Sequence, residues 1–118
     1  MSDFETVLFE VQNRVATITL NRPERKNAMN QQLKDELREC WRRVKADPEI
    51  WCAILTGAGT AFSSGADVES LASDGFTRPD AWRKLALIES IVELPTPRRM
   101  RVHKPVIAAV NGVTAGFS

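Results

Sequence analysis

Few side chains in this sequence are equipped to act as nucleophile or base. The one histidine, His103, sits in a basic stretch beside Lys104-Pro105, and a Ser-His-Asp triad would have to use it. In that setting it reads as a solvated or locally bonded loop residue rather than a catalyst. Ser63 and Ser64 are nucleophiles by type, but neither lies in the G-x-S-x-G turn that exposes such a serine. Gly57-Ala58-Gly59 follows an apolar run, yet Phe62 stands where a dinucleotide fingerprint needs its third glycine. No Gly-Lys-Ser/Thr follows to make a phosphate loop. The carboxylates show no metal-ligand spacing. Cys40 and Cys52 have no His or Cys neighbour at ligand spacing and read as reduced core thiols.

What remains is backbone chemistry. Ser64-Gly65-Ala66-Asp67 and Ala115-Gly116-Phe117 each carry glycine where a loop turns into a helical pattern. At such points free N–H groups point outward and the helix dipole favours negative charge. Glycine permits close approach and unusual φ. Two N–H groups converging on one oxygen would form an oxyanion hole, in which each donor is worth about 3 kcal/mol in a transition state. Either loop alone is a common feature of turns.

The elements that position these loops can be read from periodicity. Val7–Val11 and Val15–Leu20 alternate apolar and polar residues around Asn13-Arg14, which predicts a β-hairpin. After a loop at residues 23–27, Asn30 caps a helix carrying Leu33, Leu37, Cys40, Trp41 and Val44 on one face. Asp47-Pro48 ends it. The apolar run Trp51–Leu55 predicts a strand buried on both faces. The Gly/Ala/Ser-rich segment after it reads as a loop leading to a short helix at Asp67–Leu71, and a second amphipathic helix spans Trp82 to Val92. Pro95 and Pro97 close that helix, a basic stretch Arg98–Lys104 follows, and Val106–Val110 is a third buried-strand candidate. The final VTAGFS reads as the opening of another helix. The alternation of strands and helices is that of an α/β protein with parallel pairing.

Length and charge narrow the function classes. The chain has 118 residues, 16 Lys+Arg against 15 Asp+Glu, and 43% hydrophobic residues, which fits one modest domain. A net charge of +1 gives little field to hold a nucleic acid or a membrane surface. No stretch approaches the roughly 18 apolar residues of a membrane span. The acidic start MSDFETVLFE is unlike a secretory signal, so a reducing, cytoplasmic setting is expected.

Three stretches together carry a resemblance: ITLNRPERKNAMN at 18–30, AILTGAGTAFSSGADVESL at 53–71 and KPVIAAVNGVTAG at 104–116. In this order and separation they resemble the N-terminal part of the enoyl-CoA hydratase/isomerase (crotonase) family over nearly the whole chain. The resemblance implies an α/β fold built as a ββα spiral, truncated here after the second of the two glycine loops, so that residues 1–118 form an incomplete domain. It implies an acyl-CoA thioester as substrate, with no cofactor beyond the coenzyme A that the substrate carries. Its oxyanion hole maps onto the N–H groups of Ala66 and Phe117. Gly65, Asp67, Val68 and Gly116 map onto the surrounding binding loops. Lys26, with Arg25 as its alternate, maps onto a phosphate partner, and Ala28 onto a backbone contact with the nucleotide end. Phe117 and Ser118 depart from the glycine that relatives often have there, and Phe117 would narrow the acyl pocket.

The family shares the hole and varies the base, because only the carboxylates that move protons distinguish hydration from isomerisation. The resemblance places those glutamates after Phe117 and beyond Ser118. This chain is therefore expected to lack them, and the hydratase (lyase) or isomerase activity to belong to a longer form, itself a homo-oligomer, trimer or hexamer. Glu69, near the first loop, reads as a surface carboxylate. The alternative reading is a short, non-catalytic chain that binds coenzyme A or a relative. An RNA-binding role is disfavoured by the near-neutral charge and the lack of interleaved aromatics. With its cover absent, the Val106–Val110 strand is expected to expose apolar surface.

Overall fold

The computed structural model describes residues 4–65 and 95–114. The helices expected at Asp67–Leu71 and Trp82–Val92 lie outside the described residues. The hairpin is present: β1 (Val7–Gln12) and β2 (Val15–Leu20) pair antiparallel, from Val7 opposite Leu20 to Gln12 opposite Val15. Asn13 and Arg14 have φ of 52° and 66°. Two successive left-handed residues make the kind of two-residue turn whose twist matches the strands it joins.

Alternation along β2 buries Ala16, Ile18 and Leu20 on one face, and the helix α1 (Gln31–Ala46) covers that face. Asn30 caps α1, its Oδ1 accepting the Leu33 N–H at 2.9 Å. Leu33, Leu37, Cys40, Trp41 and Val44 are buried at three- and four-residue spacing, as the sequence predicts. At the other end the Lys104 ammonium donates to the Val44 and Asp47 carbonyls, each at 2.7 Å, occupying acceptors that a helix end leaves open.

The chain returns as β3 (Cys52–Gly57), parallel to β2, and β5 (Val106–Ala108) adds parallel to β3, giving the sheet order β1-β2-β3-β5. Trp51, expected inside the buried strand, precedes it and is 63% exposed. Its N–H is taken by the Arg14 carbonyl, and the Arg14 guanidinium lies 4.5 Å from its ring centroid, so the indole closes the hairpin end instead of entering the core. Within β3 only Ala53 is fully buried. β5 ends at Ala108 rather than Val110, and Ile107 and Val110 are exposed: the strand is not buried as its apolar run suggests, and it shows the apolar surface also expected of it.

Two short strands depart from the sequence reading. β4 (Ala61–Ser63) arises within the segment read as a loop, and β6 (Val113–Thr114) where a helix opening was read. They pair with each other in parallel. The β-branched Val113 and Thr114 favour extended backbone, and a strand already present at Ala61–Ser63 supplies the ladder they join.

Cys40 and Cys52 are free thiols, Cys40 buried and Cys52 half-buried. Burial pushes the Cys40 thiol up from 9.0 to about 12, Glu36 and Glu39 adding to this and Arg43 opposing it. The unfolded chain therefore gives up this proton before the folded one does. Stability from this source is full below pH 9.0 and is lost as pH rises toward about 12. In urea titrations across that range, the stability gap between wild type and Cys40→Ala is expected to close as pH rises, whereas a constant gap would contradict it.

Candidate active site

Three connections leave the carboxyl ends of the parallel strands β2, β3 and β5, the end of an open α/β sheet where ligands bind. The first follows β2. Pro23–Arg25 form one 3-10 turn, and Lys26 and Asn27 then take left-handed φ of 51° and 57°. This reversal leaves Arg25 and Lys26 exposed and turns the Asn27 side chain fully inward. There Asn27 Oδ1 accepts the Arg22 N–H at 2.8 Å, and Nδ2 donates to the Ala58 and Ala61 carbonyls, each at 2.9 Å. A buried amide with both donors and its acceptor occupied holds its surroundings in one arrangement.

The second connection, residues 58–65, is laced to the first. The Ser63 hydroxyl donates to the Asn27 carbonyl at 2.9 Å and accepts the Gly65 N–H at 3.1 Å. Ser64 N–H donates to the Lys26 carbonyl (2.9 Å), and Met29 N–H to the Gly65 carbonyl (2.7 Å). Gly65 has φ of +93°, a conformation that disfavours any side chain. Ala28 is buried; its N–H donates to Arg25 O at 3.0 Å and its carbonyl accepts from Arg22 Nη1 at 2.6 Å. Its N–H is thus committed within the loop.

The third connection comes from β5. Asn111 Oδ1 accepts the Gly57 N–H at 3.2 Å, and its Nδ2 donates to the Gly59 and Ala61 carbonyls at 3.1 and 3.2 Å. Gly112 then passes so near Thr60 that an added Cβ would stand 2.0 Å from the Thr60 carbonyl oxygen. That approach lets β6 lie beside β4, with Ala61 opposite Val113 and Ser63 opposite Thr114. Ala66, Asp67, Val68, Glu69, Gly116 and Phe117 lie outside the described residues. The structure thus brings Lys26, Ala28 and Gly65 together, next to the strand pair from which both glycine loops depart.

The basic stretch is elsewhere. Residues 97–102 form a tight turn, closed by Arg101 N–H to Arg98 O and Val102 N–H to Pro97 O, and Val102 anchors it in the core. This turn precedes β5, at the amino ends of the parallel strands, with exposed Arg98, Arg99, Arg101 and His103. A six-residue strand such as β3 separates the two ends by roughly 20 Å, so these cations do not share the loops' site.

Among the described residues no group of His, Cys, Asp and Glu could hold a metal, and no helix is long and apolar enough to cross a membrane. The family profile for enoyl-CoA hydratase/isomerase matches residues 10–117. The chain belongs to this family. It is 40% identical over 114 residues to the 1,2-epoxyphenylacetyl-CoA isomerase of Escherichia coli, covering 95% of this chain and 42% of that protein. With the (E)-benzylidenesuccinyl-CoA hydratase of Thauera aromatica it shares 38% identity over 111 residues, covering 93% and 41%. The crystal structure of an enoyl-CoA hydratase/isomerase from Mycobacterium paratuberculosis superposes with a TM-score of 0.72 at 32% identity, over 94% of this chain and 43% of that one. The chain thus spans about two-fifths of the length of these relatives, and its α/β architecture is that of the enoyl-CoA hydratase/isomerase fold.

The family motifs single out Lys26, Ala28 and Gly65 separately, as phosphate partner, nucleotide contact and binding-loop residue. They pass over what joins the connections. Asn27 and Asn111 look like ordinary loop asparagines, and Ser63 reads in the sequence only as a nucleophile by type. The available signal was partial: Asn111 directly precedes Gly112 and Ser63 stands two residues before Gly65, whereas Asn27 has no glycine near it in the sequence.

Proposed function

We propose that this chain is the acyl-CoA-binding part of an enoyl-CoA hydratase/isomerase-like enzyme, in which the N–H groups of Ala66 and Phe117 form an oxyanion hole for the thioester. The observation that carries the reading is the parallel pairing of β4 with β6. Ser63 stands opposite Thr114, and Ala66 and Phe117 each follow three residues later along the sequence. Neighbouring strands running the same way, about 4.8 Å apart, launch two glycine loops from one spot. Both family relatives named above act, by their names, on coenzyme A thioesters.

In this reading the thioester carbonyl rests between the two N–H groups. When a base removes the α-proton, or a nucleophile adds to the β-carbon, the electron pair passes onto the carbonyl oxygen as an enolate. Donors aimed in advance stabilise that charge more than they stabilise the neutral carbonyl. Exposed Lys26 and Arg25 offer cations to the phosphates, while Ala28, Asp67, Val68 and Gly116 line the path of the nucleotide and pantetheine arm. Phe117 narrows the acyl end. Coenzyme A enters as part of the substrate, and the chemistry needs no further cofactor.

The test uses a 3-oxoacyl-CoA, whose enolate absorbs in the near ultraviolet. Added to the chain at a pH where the free thioester stays neutral, it is expected to bind and develop the enolate band. Binding without a band would remove the oxyanion hole and leave a coenzyme A-binding chain, and absence of binding would remove both.

A further inference from the structure

We propose that Ser63 is a positioning residue for the Ala66 donor, an inference that rests on the oxyanion-hole reading above. Ser63 ends β4 and is fully buried. A hydroxyl is costly at such a place unless its hydrogen bonds are made. Here it donates to Asn27 O and accepts from Gly65 N–H, so it ties the end of the first connection to the turn of the second.

The tie matters because of what Gly65 is. With no Cβ and a φ of +93°, glycine restrains the peptide units on either side of it less than any other residue would. Here each unit is restrained from outside. The Ser64–Gly65 unit is held through its N–H by the Ser63 hydroxyl at 3.1 Å. The Gly65–Ala66 unit is held through its carbonyl by Met29 N–H at 2.7 Å. In a trans peptide the C=O and the following N–H point in opposite directions within one plane. Fixing the Gly65 carbonyl toward Met29 therefore sets the direction of the N–H that follows it, and Ser63 fixes the pivot about which that plane would otherwise swing.

The role separates from binding. Ser63 is buried whereas Arg25 and Lys26 are exposed, and its hydroxyl bonds the Asn27 carbonyl rather than either cation, so its loss removes neither of the cations proposed for the phosphates. It acts on the orientation of one donor, and that orientation is read by charge on the oxygen rather than by affinity for the nucleotide.

The experiment compares wild type, Ser63→Ala and Ser63→Cys, measuring affinity for coenzyme A itself and the pH at which bound 3-oxoacyl-CoA forms its enolate. Ser63→Ala is expected to bind coenzyme A as wild type does and to stabilise the enolate roughly fivefold less, moving the ionisation of the bound ligand to higher pH. Ser63→Cys, close in size with a weak donor and acceptor, is expected to fall between the two. Equal enolate titrations in wild type and Ser63→Ala, or equal losses of coenzyme A affinity and enolate, would overturn the positioning role. An absent band in wild type would instead overturn the oxyanion-hole reading beneath it. Should Ser63→Ala fail to fold, Ser63→Cys against wild type decides by the same two measurements.

Discussion

A chain in which an ester replaces the Gly65–Ala66 amide, by placing lactic acid at position 66, is expected to stabilise the bound enolate roughly 10²–10³-fold less than the native chain. The substitution removes the N–H donor while keeping the planar trans geometry and the methyl group of alanine; it also weakens the Gly65 carbonyl as acceptor of the Met29 N–H, which adds to the loss. A side-chain mutation cannot do this, since the proposed donor is backbone. Proline at 66 would delete the N–H as well, but its ring also constrains φ. The enolate carries much of its negative charge on oxygen, and in a site that excludes water a donor aimed in advance at that oxygen is worth far more than on the surface. The matching ester at Phe117 is expected to cost a similar factor. The measurement is the pH titration of the enolate band with a bound 3-oxoacyl-CoA, alongside affinity for coenzyme A. A loss below threefold at position 66, with coenzyme A affinity unchanged, would show that this amide does not face the oxygen.

Gly112→Ala is expected to destabilise the fold by more than about 3 kcal/mol. The new Cβ would sit 2.0 Å from the Thr60 carbonyl oxygen, 2.9 Å from the Thr60 carbonyl carbon and 3.2 Å from Ala61 Cα. All three are backbone atoms, so no side chain can swing aside. Relief requires Gly112 and Thr60 to part, and that parting pulls β6 from β4 and lengthens the Asn111 bonds to Gly59 and Ala61. Gly59 gives the comparison. A Cβ there meets Pro23 Cβ at 3.2 Å with φ of +79°, so Gly59→Ala is expected to cost only about 1–2 kcal/mol. Urea denaturation of both variants checks the ranking, and a Gly112→Ala protein within 1 kcal/mol of wild type would contradict the close approach. Any folded Gly112→Ala protein is also expected to lose the enolate band, because the two loops would no longer start side by side.

The parts of this architecture that were legible in the sequence are those with long periodic signals. The hairpin, the Asn30 cap and the α1 stripe follow from alternation and three-four spacing, and all are found where expected. β4 and β6 were not legible. Strands of three and two residues are too short to show a period, and each exists because the other supplies its partner. Val113-Thr114 beside Ala115-Gly116 looks like a helix start until the pairing with Ala61–Ser63 is known. Trp51 misled for a related reason: hydrophobicity favours the interior, but the Arg14 guanidinium gives the indole a partner outside it. At the site, the family motifs named Lys26, Ala28 and Gly65 without indicating that the Asn27 amide is buried between the two connections or that the Ser63 hydroxyl meets the Gly65 N–H. Such a network depends on left-handed backbone at Lys26 and Asn27, which residue types alone do not announce.

The Ala61 carbonyl accepts from Asn27 Nδ2 at 2.9 Å and from Asn111 Nδ2 at 3.2 Å. One oxygen is therefore the meeting point of segments that are far apart along the chain, one ahead of α1 and one after β5. Its two lone pairs are both engaged, so a shift of either asparagine is transmitted to the other within a single bond length of β4. The connections that follow β2 and β5 are in this sense tied through one atom of β4.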